Sequence, residues 1–199
     1  MNKKIAIIGA GGHGKVVGEI ALLSDYKVIN FFDENYHSIN NFPFSVINCL
    51  DHLLDNLKDY DSFFVAIGDN LSRGKLIELL KKLNVNIVSL IHPNSFISKF
   101  SVIGKGTCIM ANTVVNPGTI INDGVIINTS SSIDHDCFID DFSHMSPNCA
   151  LSGGVNVGKF THLGTGTCVH PGISIGNNVQ TGVGSKVYKD IKDGMIVKN

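Results

Sequence analysis

The chain has 199 residues, a formal net charge of −1, 8% aromatic residues and no tryptophan. Near-neutral charge leaves no electrostatic footprint for nucleic acid or an anionic membrane, and no apolar run reaches the roughly 18 residues of a membrane span. Its 21 glycines, against only 5 prolines, point to a turn-dense, β-rich fold rather than to disorder.

From the N-terminus, "KIAIIG" reads as a buried strand, "GKVVGEIALLS" as a helix and "KVINFFDEN" as a second strand ending at Asp33. "CLDHLLDNLKD" has helical spacing, "SFFVAIGDN" is a third strand, "SRGKLIELLKKLN" a helix, and "NIVSLIHP" a fourth strand closed by Pro93. Strand and helix in alternation imply a small parallel sheet over residues 1–93, about half of a doubly wound nucleotide fold.

The loop after the first strand, "GAGGHGK", carries overlapping nucleotide signatures. As G-x-G-x-x-G it supplies Gly9, Gly11 and Gly14, with Asp33 at the distance of a ribose-binding acid. As a P-loop it supplies Gly9, Gly14 and Lys15, but Val16 stands where a Mg²⁺-binding hydroxyl is needed. A third reading is a loop and helix N-terminus that cradle the phosphates of another nucleotide. The half-sized sheet weakens the dinucleotide reading, and Val16 removes the P-loop.

After Pro93 the period changes. Stepping by six from Ile97 to Val187 meets sixteen positions, fifteen of them aliphatic or Met, Thr181 being the exception. Four residues after each comes a small or β-branched residue, from Ser101 through Cys137 to Ile191. This pattern describes a parallel β-helix with one hexad per face and three faces per coil, over residues 94–199. Residues 18 apart are then vertical neighbours. The five cysteines are odd in number, form no C-x-x-C and sit in apolar-looking positions, which suits a reduced, cytoplasmic protein.

Four histidines fall in the repeat: His135, His144, His162 and His170. His144 and His162 should stack, and His135 should lie beneath Gly153, with open space over its imidazole. Asp134 and Asp136 flank His135, and a neighbouring carboxylate raises imidazole basicity, as a general base requires. The spacings of 9, 18 and 8 lack the close histidine pair of zinc-bearing coils, so no metal is expected. Cys137 occupies a small-residue position of its hexad and is expected to pack rather than to act as a nucleophile.

"GAGGHGK" together with "IINTSSSIDHDCFIDDFSHMSPNCALSGGVNVG" resembles the bacterial nucleotide-4-amino-sugar N-acetyltransferases, a hexapeptide-repeat, left-handed β-helix group that includes proteins labelled sialic-acid O-acetyltransferases. The resemblance covers nearly the whole chain. It implies a Rossmann-like nucleotide-sugar-binding domain, a left-handed β-helix acetyltransferase domain, and a homotrimer with active sites between subunits. It further implies acetyl transfer from acetyl-CoA to the C4 amine of a UDP- or dTDP-linked 4-amino-4,6-dideoxy sugar, for surface glycan biosynthesis. His135 matches the general base, Asp136 its acidic partner (a Glu in the best-known relatives), and His144 a second histidine at the acetyl-CoA end. Gly153 matches the oxyanion region, and Thr165, Gly182 and Val183 the path of the CoA arm. Gly11, Gly12, His13, Asp33, Glu34 and Gly68 match the nucleotide-sugar side. The usual G-x-P-A-K/R tail is replaced by "DGMIVKN". A hydroxyl acceptor, as in sugar O-acetylation, and a non-catalytic nucleotide-sugar-binding scaffold are the competing readings.

Overall fold

The computed structural model describes residues 3–198. The chain divides into two compact units, Met1–Pro93 and Asn94–Asn199.

In the first unit, β1 (Lys4–Ile8), β2 (Val28–Phe32), β3 (Ser45–Asn48) and β4 (Ser62–Val65) form a parallel sheet in the order β3-β2-β1-β4. The helices are α1 (Gly12–Leu23), a short α2 (Leu50–Asp55) and α3 (Asn70–Lys82). Ile5, Ala6, Ile7 and Ile8 are all buried, as a strand covered on both faces requires. Packing is tight around α1. A Cβ on Gly14 would stand 2.3 Å from the Gly9 carbonyl oxygen, and one on Gly18 would meet the Phe44 ring at 2.3 Å. Gly9 itself has φ +105°, which L side chains rarely adopt.

Two features depart from the sequence reading. The edge strand β3 was not foreseen, and the fourth strand of "NIVSLIHP" reduces to an isolated parallel bridge, Phe63 to Ile87, and a two-residue strand at Leu90–Ile91.

The second unit is a left-handed parallel β-helix built from two-residue strands. Partners in its ladders lie 18 residues apart, as in Ile120 to Phe138, Ser132 to Ala150 and His144 to His162. The aliphatic position of every hexad from Ile109 to Val187, Thr181 included, is buried. Each such side chain is worth about 1.5–3 kcal/mol when fully buried, and the stack repeats that gain on every face.

The coils turn because every sixth residue from Gly106 to Gly184 has φ between 54° and 77°. The small-residue positions serve these corners. Thr119 Oγ1 donates to the Asp134 carbonyl at 2.7 Å and accepts the Cys137 N–H at 3.2 Å. Thr107, Ser131 and Thr161 make the same pair of bonds one coil apart. Hydroxyls recur there because buried corner amides and carbonyls need partners.

The hexad register ends early. Gln180 pairs with Ile196 and Ile175 bridges to Ile191, both 16 residues on. The last coil is therefore two residues short, and Ile191 sits against the core aliphatic Ile175 instead of at a small-residue corner.

Candidate active site

His135 and Asp136 lie on a coil corner. Asp136 adopts φ 57°, and this left-handed turn folds its carboxylate back so that Oδ2 is 2.8 Å from His135 Nδ1. The short Asp side chain thus reaches the imidazole. Asp134 supports the corner from the other side: its Oδ1 accepts the His135 N–H at 2.8 Å and the Asn116 Nδ2 at 2.9 Å. Those two bonds, that from Asn116 first, hold the Asp134 carboxyl below its ordinary range. The hydrogen bond to Asp136, with the charge of Asp134 behind it, holds the His135 imidazole above its ordinary range. The His135 side chain is 61% exposed, so a substrate can reach it.

Two glycines make room for this pair. A Cβ on Gly153, one coil on, would stand 2.5 Å from both Cε1 and Nε2 of His135. The space over the imidazole expected from the 18-residue arithmetic is therefore filled by the ring itself. A Cβ on Gly118, one coil before Asp136, would stand 2.3 Å from Asp136 Oδ1. The sequence reading did not identify Gly118, although subtracting 18 from 136 finds it.

His144 and His162 stack with centroids 4.5 Å apart and planes 6° from parallel. His144 Nε2 is 3.2 Å from Asn128 Nδ2, and His162 Nε2 is 2.8 Å from Ser146 Oγ. Cys137 is buried, its Sγ donates to the Ser152 carbonyl at 3.3 Å, and burial pushes its thiol up. A buried, protonated thiol is a packing group, not a nucleophile. Thr165 and Val183 are exposed at neighbouring corners; the Gly182 N–H is taken by the Val197 carbonyl at 2.8 Å, so it is not available to a ligand. Among the described residues, no group of three or more His, Cys, Asp and Glu side chains is placed to hold a metal ion.

In the first unit, Gly11 and Gly12 are exposed at the start of α1, where no acidic side chain or side-chain cap meets the free amides. A helix N-terminus of this kind favours an anion. Burial, with the charge of Arg73, lowers the His13 imidazole to about 4, so it is neutral at pH 7. Its Nε2 is buried without a hydrogen-bond partner among the described residues. Asp33 is already engaged: Oδ2 accepts the Ala10 N–H and Oδ1 the Asn35 N–H, both at 2.9 Å. It ties the glycine loop to the end of β2. Glu34 Oε1 accepts the Leu50 N–H at 3.2 Å.

The Gly68 carbonyl accepts from the buried Arg73 at 3.0 Å, and Arg73 also holds the Ile67 carbonyl and Asn70 Oδ1. Sequence reasoning missed Arg73, which reads there as one more charge on a helix. A hollow of about 260 Å³ lies at these strand ends, with Ile8, Phe32, Ile67 and Leu76 on its apolar side and Asp33 and Glu34 on its polar side.

Residues 4–80 match the PglD N-terminal domain. The acetyltransferase domain of PglB from Neisseria gonorrhoeae, solved with acetyl coenzyme A, is 39% identical with a TM-score of 0.95, over 100% of this chain and 97% of that one. The chain belongs to the nucleotide-amino-sugar N-acetyltransferases. A histidine-to-asparagine variant of the family's perosamine N-acetyltransferase from Caulobacter crescentus, solved with CoA and GDP-perosamine, is 33% identical, over 100% of this chain and 95% of that one, with a TM-score of 0.94. The UDP-N-acetylbacillosamine N-acetyltransferase of Bacillus subtilis is 36% identical over 109 residues, 51% of this chain. That match spans about half the length of the curated relative, 49%.

Proposed function

We propose that this protein transfers an acetyl group from acetyl-CoA to the C4 amine of a UDP- or dTDP-linked 4-amino-4,6-dideoxy sugar, for surface glycan assembly in the cytoplasm. The observation that carries this reading is the His135–Asp136 pair. With Nδ1 donating its proton to Asp136, the lone pair of His135 is on Nε2, the edge exposed beside Gly153. That nitrogen takes the proton from the attacking amine as the C–N bond forms. The thioester C–S bond breaks, and the departing thiolate takes up a proton, so charge balances over the turnover.

Gly154 gives its N–H to the His135 carbonyl at 2.9 Å, which leaves the Gly153 N–H as the donor for the thioester oxygen as it gains charge. His144 meets the acetyl-CoA end, and the CoA arm follows the corner of Thr165 and Val183, with Gly182 forming the turn through its shape alone. On the nucleotide side, the Gly11–Gly12 amides take the diphosphate, and neutral His13 offers Nε2. Asp33, Glu34 and Gly68 shape the hollow for the nucleoside. The protein works as a homotrimer with active sites between subunits; exposed Val102 and Ile120, paired neighbours on one sheet of the first coils, supply apolar surface for a second copy.

The test is thiol release from acetyl-CoA with UDP-, dTDP- and GDP-linked 4-amino sugars, each beside its 4-hydroxyl counterpart. Turnover with an amino sugar, lost about 10²–10⁴-fold in His135→Ala, is the expected result. Turnover confined to the hydroxyl sugars would assign O-acetylation instead. Near-normal turnover in His135→Ala would remove His135 as the base.

A further inference from the structure

The two stacked histidines belong to a repeated tetrapeptide. "FSHM" (residues 142–145) and "FTHL" (residues 160–163) occupy the same place in successive coils. Both phenylalanines hold left-handed corners, φ 58° and 57°, at a position where other coils use Gly or Asn. That conformation is unfavourable for a bulky side chain. The phenylalanines stack on each other at 5.2 Å, just as the histidines do at 4.5 Å.

The doubling has a consequence for His144. The χ2 torsion of a histidine is broad and roughly two-fold, so what packs against its faces helps to set the ring plane. His144 is covered on one side by buried Ile126, its ladder partner in the preceding coil. On the other side lies the His162 ring, 6° from parallel. His162 is in turn fixed by Ser146, which stands two residues after His144 on the same coil. The chain of support therefore closes on itself: Ser146 holds His162, and His162 holds the plane of His144.

We propose that His162 is a positioning residue, the aromatic floor that fixes the ring plane of His144 for the acetyl donor. This rests on the reading of His144 as the group at the acetyl-CoA end. It acts through stacking, so a planar ring without titratable nitrogens should replace it.

The experiment compares wild type, His162→Ala and His162→Phe by steady-state kinetics and by NMR of the imidazole of His144. In His162→Ala, kcat should fall about tenfold, with KM for the sugar nucleotide within about twofold, the pattern of a misplaced reacting group. His162→Phe should recover at least about half of the wild-type kcat, since the floor is restored. The His144 imidazole signals should be single in wild type and His162→Phe, and shifted or broadened in His162→Ala. Unchanged kcat and unchanged His144 signals in His162→Ala would overturn the proposal. So would a His162→Phe variant as impaired as His162→Ala, because the ring nitrogens and not the stack would then matter. If wild type transfers no acetyl group, the functional reading fails on its own, and the His144 signals still judge the stack.

Discussion

The imidazole of His135 lies against the Cα of Gly153, so close that a Cβ at that glycine would stand 2.5 Å from Cε1 and Nε2. No real Cβ tolerates that distance, so Gly153→Ala must push the ring away from its place beside Asp136. The backbone there leaves the fold little to lose, because the contact is with one exposed ring. Gly153→Ala should therefore keep its melting temperature within a few degrees and lose about 10²-fold in kcat. Circular dichroism and acetyl-transfer kinetics on the same sample check it; normal kcat would mean that the ring position is not critical.

Asp136 sets the basicity of His135, and the sign of its effect can be read in a pH profile. The hydrogen bond to Asp136 raises the imidazole pKa, and only the neutral imidazole accepts a proton. Activity is then lost as pH falls through that raised value. Asp136→Asn removes the carboxylate, so the acid limb of kcat/KM should move to lower pH, while the plateau falls because a weaker base remains. Gly118→Ala should shift the limb the same way, since its Cβ would collide with Asp136 Oδ1. An acid limb that stays in place in both variants would show that another group controls it.

Much of this was legible before any coordinates, and the reasons are physical. A flat β-helix face admits one inward side chain per hexad, so Ile109 through Val187 had to be apolar almost without exception. The fixed coil length then turned sequence distance into spatial contact, which placed His144 on His162 and His135 under Gly153. What failed was local. The edge strand Ser45–Asn48 alternates exposed and half-buried residues, so its apolar signal is weak. The shortened last coil turns at Gly194, only 16 residues after the left-handed corner at Asn178, and a strict step of six runs past it. Arg73 is nearly fully buried yet looks like a solvated helix charge, because two of its partners are backbone carbonyls that no side-chain pattern announces.

Cys137 stands two residues from the base, which makes covalent catalysis the obvious rival. Its burial, its raised thiol and its bond to the Ser152 carbonyl give it the part that hydroxyls play at other corners. Cys137→Ser keeps that donor. The variant should transfer acetyl at a rate within about twofold of wild type, and wild type should resist inactivation by iodoacetamide near neutral pH, where thiolates alone react. A loss of several orders of magnitude in Cys137→Ser, with an acetyl-thioester on wild type by mass spectrometry, would reverse the assignment.

His13 makes the first unit sensitive to acid. Its imidazole is held at about 4, mainly by burial, against an ordinary value of 6.5. Between those two values the unfolded chain binds a proton that the folded unit does not, so stability falls as pH falls from 6.5 towards 4. The full shift corresponds to about 3 kcal/mol, an upper figure because local opening can admit water. Native-state hydrogen exchange of the protected β1 amides, followed across that window, reports the stability of this unit. Wild type should lose protection steadily between pH 6.5 and 4, beyond the intrinsic change in exchange rate, and His13→Gln should lose markedly less. Parallel curves for the two proteins would show that the imidazole is not the titrating group. A diphosphate ligand that hydrogen-bonds His13 Nε2 through a protonated ring should raise its pKa and flatten the wild-type curve, which ties the acid sensitivity to occupancy of the glycine loop.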